Sequence, residues 1–204
     1  MIYVIITTSI HNKIPPFNNE HRKNRYIDSI QHLLHLIKNN PNIHPIIVEN
    51  NGQRTTFLDS LNCDVLYTDN NSIQCKHKGG NELLDIKEVI HKYNIDDNDT
   101  IIKLTGRYKL MNLDFIHLVS QNNYDAFVKF FNVCTKKKHS NMDDCVLGLF
   151  AIKCKYLKQF NYSYERSAEV DFANYVKKYV DKKMSVEHLG LECCFADNLR
   201  ILIV

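Results

Sequence analysis

The chain has 204 residues, 44% of them hydrophobic, and a formal net charge of +3 from 26 Lys and Arg against 23 Asp and Glu. That length buries one well-formed core, read here as a single domain over residues 1–204. A small charge carried by scattered basic residues argues against a nucleic-acid-binding protein, and no apolar run approaches the ~20 residues that cross a bilayer.

The amino terminus lacks the basic, apolar and small-residue blocks of a signal peptide. Seven cysteines without a CxxC pair fit a reducing compartment, so a cytoplasmic location is expected, with no structural zinc and no disulfide framework.

The first element is a β-rich apolar run, Ile2 to Thr8, followed by a loop through Pro15 and Pro16. From Glu20 the pattern is helical. Tyr26, Ile27, Ile30, Leu33, Leu34 and Ile37 recur at three- and four-residue steps, and Asn39-Asn40-Pro41 stops the helix. Arg22 and Arg25 fall in its first turn, where cations oppose the macrodipole unless an anion sits between them. A second strand, Pro45 to Val48, ends in Glu49-Asn50-Asn51-Gly52, which is turn chemistry. A short helix through Phe57, Leu58 and Leu61 leads to a third strand, Asp64 to Thr68, and then to a polar loop, Asp69 to Lys78. Gly79-Gly80-Asn81-Glu82 opens a helix with Leu83, Ile86, Ile90 and Tyr93 on its apolar face.

The fourth strand, beginning at Thr100, breaks at Thr105-Gly106-Arg107-Tyr108. Alternation of strand and helix up to this point implies parallel strands with right-handed crossovers. Thr8, Glu49, the loop before Gly79 and Arg107 then lie along one edge, the edge where open α/β sheets bind ligands. Asp96, Asp97 and Asp99 precede the strand and belong at its opposite end. Arg107, at the carboxyl end, is either an anion contact or the partner of a surface carboxylate.

The second half is less regular. A short helix from Leu113 to Ser120 precedes strands at Ala126 to Phe131 and Val146 to Ile152, with a polar loop, Thr135 to Asp144, as a flap or hairpin tip. A helix near Lys155 follows, then one from about Ser167 with Phe172, Val176, Tyr179 and Val180 on its apolar face. Glu169 projects from that face at the first turn. It is either a working carboxylate or a complement to a helix capped by Ser167. Val186 to Leu191, which carries His188, and Leu199 to Val204 are further strand candidates.

The succession of a Val-Glu-Asn-Asn-Gly turn, a Lys-Gly-Gly-x-Glu helix start and an Ile-Lys-Leu-Thr-Gly-Arg-Tyr strand resembles the small GT-A-type glycosyltransferases of polysaccharide clusters and large DNA viruses. The resemblance covers residues 1–110 and reaches the rest through the Glu169 helix. It implies one GT-A-like, Rossmann-like α/β domain with a mostly parallel sheet. Residues 1–110 form the nucleotide-sugar half and 111–204 the acceptor and catalytic half. It also implies a nucleotide-diphosphate sugar as donor, a glycan or other hydroxyl compound as acceptor, and, for a viral source, the host cytoplasm.

The donor set implied by the resemblance is Thr7, Thr8, Arg22, Arg25, Glu49, Asn50, Lys78, Gly79, Lys103, Thr105, Gly106, Tyr108 and His188. Where the family carries an Asp-x-Asp metal motif, this chain has Thr105-Gly106-Arg107. Arg107, with Lys103, Arg22 or Arg25, is expected to take over the charge role, so Mn2+ or Mg2+ is admitted but not essential. Glu169 is the expected base and Asp171 its reserve. Two readings from other classes stand beside this one: a non-catalytic nucleotide-binding module of the same fold, and a sugar-nucleotide nucleotidyltransferase. The latter normally opens with a glycine-rich loop, and Thr8 to Asn19 contains no glycine.

Overall fold

The computed structural model describes residues 1–11, 19–52, 54–72, 78–130, 144–163, 166–195 and 200–204. The expected loops through Pro15-Pro16 and Thr135 to Asp144, and part of the one from Asp69 to Lys78, lie outside these residues, apart from their ends.

In chain order the elements are β1 (Ile2–Thr8), α1 (Asn19–Ile37), β2 (Ile43–Glu49), a 3-10 turn (Phe57–Ser60), β3 (Asp64–Tyr67), α2 (Lys78–Lys92), β4 (Thr100–Thr105) and β5 (Lys109–Leu110). Then follow α3 (Asp114–Gln121), β6 (Ala126–Val128), β7 (Leu149–Lys153), α4 (Cys154–Gln159), α5 (Ala168–Tyr179), β8 (Lys183–Ser185), β9 (Leu191–Cys194) and β10 (Ile201–Ile203).

Among the described residues a seven-stranded sheet runs β3-β2-β1-β4-β7-β6-β8, and β10-β9-β5 form a second, three-stranded sheet. The first four strands in space are parallel, with Thr8 opposite Glu49, Glu49 opposite Tyr67 and Thr7 opposite Thr105, so their carboxyl ends share one edge. Beyond β4 the direction reverses: β7 is antiparallel to both β4 and β6, while β8 lies parallel to β6. The fold is thus mixed α/β with a mostly parallel central sheet. Asp99 sits at the opposite end, as expected, where its carboxylate holds the Met1 ammonium at 2.8 Å.

Strand alternation sorts the sheet into two cores. Val4, Ile6, Ile47, Ile102 and Leu104 join Tyr26, Ile30 and Leu33 of α1, whereas Ile5, Ile46, Val48 and Ile101 join Ile86, Val89 and Ile90 of α2 and Phe172 and Val176 of α5. Each such aliphatic side chain contributes about 1.5–3 kcal/mol relative to exposure. The same parity carries to the edge. Thr8 and Glu49 continue the α1 side; Thr7, Asn50, Lys103 and Thr105 continue the α2 side.

Several expectations are corrected. Tyr179 is not on the buried face of α5, which is built from Ala168, Phe172, Ala173 and Val176; its ring is exposed against Tyr175. Residues 186–190 are not a strand, because Gly190 adopts φ +59 and breaks the extended run; β9 starts only at Leu191. His188 consequently sits exposed on an irregular link. Arg25 lies in the second turn of α1, since the helix begins at Asn19. No helix of the described residues is long and apolar enough to cross a membrane.

Candidate functional site

At the carboxyl edge, on the α1 side, Glu49 is fully buried and tightly held. It accepts from Thr8 Oγ1 at 2.7 Å, from the Ile10 amide at 3.2 Å, and from both the backbone and side-chain amides of Asn51. Its acceptor capacity is therefore largely spent on tying the ends of β1 and β2 together.

Next to it three guanidinium groups converge. Arg22 is buried, donates to the Ser9 carbonyl and to the Tyr26 hydroxyl at 3.2 Å, and lies over the Tyr26 ring. Arg107 donates from Nε to the Cys194 carbonyl at 2.7 Å and lies over the Tyr108 ring. Burial opposes the Arg107 charge, yet Tyr26, Tyr108 and Glu82 outweigh it and hold its pKa above the ordinary value. Arg25 donates to the Arg107 carbonyl at 2.8 Å and pairs with Glu192 at 2.6 Å. All three arginines act on Cys194, whose thiol is nevertheless pushed up by burial. Among the described residues Glu192 ion-pairs with Arg25, and neither Arg22 nor Arg107 has such a partner. The cluster therefore carries excess positive charge on rigid donors, which suits an anion.

Gly106 matters for closeness rather than for a left-handed backbone. A Cβ there would come within 2.8 Å of Thr8 Cγ2 and 3.1 Å of the Tyr26 ring, and its amide donates to the Thr7 carbonyl at 2.8 Å. Tyr108 is placed similarly: its ring lies where a Cβ on Gly148 would stand, at 2.2 Å.

On the α2 side, Lys103 is buried and paired with Glu82 at 2.5 Å, and it donates further to Thr105 Oγ1 and the Leu147 carbonyl. This cation is neutralised internally. The starts of α2 and α5 meet beside it: Lys78 is the first residue of α2, and a Cβ on Gly79 would lie 2.3 Å from Ala168 Cβ. Glu169, the next residue, is half-buried, and its carboxylate has no hydrogen bond or ion pair among the described residues. Ser167 caps α5 through the Val170 amide, so Glu169 is not needed as a cap. Asp171 is occupied, accepting from the amide and hydroxyl of Ser163. Below the junction lies a cavity of about 30 Å³ bounded by Glu82, Lys103, Leu147, Phe150 and Phe172.

The edge thus brings together Thr7, Thr8, Glu49, Asn50, Lys103, Thr105, Gly106, Arg107 and Tyr108 with Arg22 and Arg25. Gly79 and Glu169 stand at the adjoining helix junction, and His188 lies on the exposed link between β8 and β9. Sequence spacing marks Tyr26 only as core and does not single out Glu82, Glu192, Asn81 or Asp85. Asn81, Asp85 and Val89 recur every four residues, so two polar residues in a row with a buried valine were a readable signal. At the carboxyl end of β4 stand Thr105-Gly106-Arg107, and no group of three or more His, Cys, Asp or Glu is gathered among the described residues. The described residues at this edge do not offer a set of protein acids to hold a divalent metal.

Compared with models of known protein families and with the sequences of curated proteins, the chain gives no match. Solved structures share its fold. CMP:2-keto-3-deoxy-manno-octonic acid synthetase complexed with CTP aligns at TM-score 0.54 and 12% identity, over 91% of this chain and 89% of that one. A cytidylyltransferase from Leptospira borgpetersenii aligns at 0.51 and 12%, over 100% and 81%. S. aureus TarS 1-349 in complex with UDP-GlcNAc aligns at 0.53 and 12%, over 91% of this chain. The chain spans about half of that TarS fragment, 55% of its length. At these identities the shared feature is the fold, one of the GT-A and nucleotidyltransferase type.

Proposed function

We propose that the chain is a glycosyltransferase that takes a sugar from a nucleotide-diphosphate donor and passes it to a hydroxyl acceptor. The observation that carries this reading is the arginine cluster: Arg22 and Arg107 both act on Tyr26 at the strand-end edge, with no carboxylate paired to either among the described residues. The nucleoside lies along the ends of β1 and β2, at Thr7, Thr8, Glu49 and Asn50. Its diphosphate faces Arg107 and Arg22 and the Lys78-Gly79 start of α2. Cleavage of the sugar–phosphate bond builds negative charge on the departing diphosphate, and fixed guanidinium donors stabilise that charge without reorganising. Arg25 holds Arg107 in place through its carbonyl, and Lys103 with Glu82 sets the floor of the site. Glu169, unpaired at the α2–α5 junction, takes the proton of the attacking hydroxyl.

Calorimetry with uridine, guanosine and thymidine diphosphate sugars tests this. Donor binding that persists in chelator is expected, because the cations that meet the diphosphate belong to the chain. No heat with any of these donors, with or without manganese, overturns the reading. Release of pyrophosphate from a nucleoside triphosphate and a sugar phosphate would instead establish nucleotidyl transfer, which the glycine-free segment after β1 disfavours. Donor binding without turnover across acceptors, unaltered by Glu169→Gln, would mark a binding module.

A further inference from the structure

Asp85 is fully buried on the row of α2 that faces the sheet. Its Oδ1 accepts from Thr68 Oγ1 at 2.7 Å and Asn70 Nδ2 at 2.8 Å, and its Oδ2 from Asn50 Nδ2 at 3.0 Å. An ionised carboxylate has no proton to give, so the Asn50 amide must turn its nitrogen toward Asp85 and its carbonyl away. Burial raises Asp85 to about 6, which still leaves the acceptor-only form in place at neutral pH.

The Asn50 carbonyl is buried and meets no partner among the described residues, and the same holds for Thr7 Oγ1 and Asn81 Oδ1. Thr7 follows Ile5, and Asn50 follows Val48, on the α2 side of the sheet, and Asn81 stands in the first turn of α2. Three orphan polar atoms therefore gather at one corner of the carboxyl edge. Each costs about 1–3 kcal/mol unless something bonds to it, which marks the corner as a place built to meet a polar ligand.

We infer that Asp85 is a positioning residue that sets the hydrogen-bond polarity of this corner. By holding Asn50 Nδ2 it presents Asn50 Oδ1 as a fixed acceptor, which selects nucleobases offering a ring N–H over those offering a bare ring nitrogen. Uracil, thymine and guanine carry such an N–H; cytosine and adenine present a lone pair at the corresponding atom, which repels the carbonyl. The inference rests on the nucleotide reading above and adds which bases are accepted and what enforces the choice.

Titration of the wild-type protein and the Asp85→Asn variant with UDP and CDP at pH 7.5 tests it. The wild type is expected to favour UDP by about tenfold, the worth of one well-placed hydrogen bond. In Asp85→Asn the new amide can donate to Asn50 Oδ1, which frees Asn50 Nδ2 to turn outward, so the UDP/CDP ratio should fall by about tenfold. A purely structural role would weaken both nucleotides equally and leave the ratio unchanged. Asn50→Ala, which keeps Thr68 and Asn70 on Asp85, should also erase the preference and serves if Asp85→Asn does not fold. Equal wild-type affinity for UDP and CDP, or a ratio preserved in the variants, overturns the inference while leaving nucleotide binding intact. A wild type that binds neither nucleotide overturns the functional reading and this inference with it.

Discussion

The ammonium of Lys103 lies 2.5 Å from the Glu82 carboxylate, and its other donors meet Thr105 Oγ1 and the Leu147 carbonyl. A lysine in the middle of a buried parallel strand is tolerated only because every donor is matched. Glu82→Gln leaves the ammonium buried without its counter-charge and should cost about 3 kcal/mol. The double variant Lys103→Met with Glu82→Gln should recover most of that loss. Urea unfolding of the three proteins decides it; a Glu82→Gln midpoint equal to wild type would mean that the pair adds no stability.

Asp85 makes stability depend on pH in the sense opposite to most carboxylates. Its folded pKa of about 6 lies above its ordinary value of 3.8, because burial penalises the charge more than its three donors favour it. Between these values the folded state holds a proton that the unfolded state has lost, so stability falls as pH rises from about 4 to 6. The two-unit shift corresponds to on the order of 3 kcal/mol. Unfolding free energies across pH 4–7 should show this loss in wild type and not in Asp85→Asn. Parallel curves would place the ionisation elsewhere.

Gly79 is expected to resist every side chain. A Cβ there would stand 2.3 Å from Ala168 Cβ, so Gly79→Ala must push the starts of α2 and α5 apart. Overpacking of this kind costs about 1–3 kcal/mol. Ala168→Gly in the same chain should restore the wild-type melting temperature, and failure of that rescue would refute the contact as the cause.

Arg107→Ala and Glu169→Gln should fail in different ways. Arg107 meets a diphosphate whose charge is present before cleavage and grows during it, so its loss should weaken donor binding by roughly ten- to a hundredfold and slow turnover as well. Glu169→Gln should leave donor affinity nearly intact while transfer falls by about 10² to 10⁴. Isothermal titration and single-turnover transfer separate the two effects. An active Glu169→Gln enzyme would move the base elsewhere, and Asp171 is a poor substitute because Ser163 already occupies its carboxylate.

The periodicities of the sequence determined most of the first half. Repeats of three and four placed α1 and α2, apolar runs placed β1 to β4, and their alternation set the parallel edge where Thr8, Glu49 and Arg107 meet, because these signals are local. Where local signals are weak, the reading slipped: Gly190 turned the His188 segment into an irregular link, and the aromatic Tyr179 sat on the solvent side of α5.

Partnership was decided only by tertiary structure. Arg25 and Glu192 are 167 positions apart, and no spacing rule joins them. The free or neutralised state of each cation follows from such contacts. Lys103 and Arg25 look alike in the sequence to Arg22 and Arg107, yet among the described residues the first two are each held by a carboxylate and the others are not. Asp85 shows the same limit: the sequence set it on a helix face, but only the approach of Asn50, Thr68 and Asn70 from two strand ends made it a buried carboxylate that orients an amide, since burial and hydrogen-bond geometry arise when distant segments close on one another.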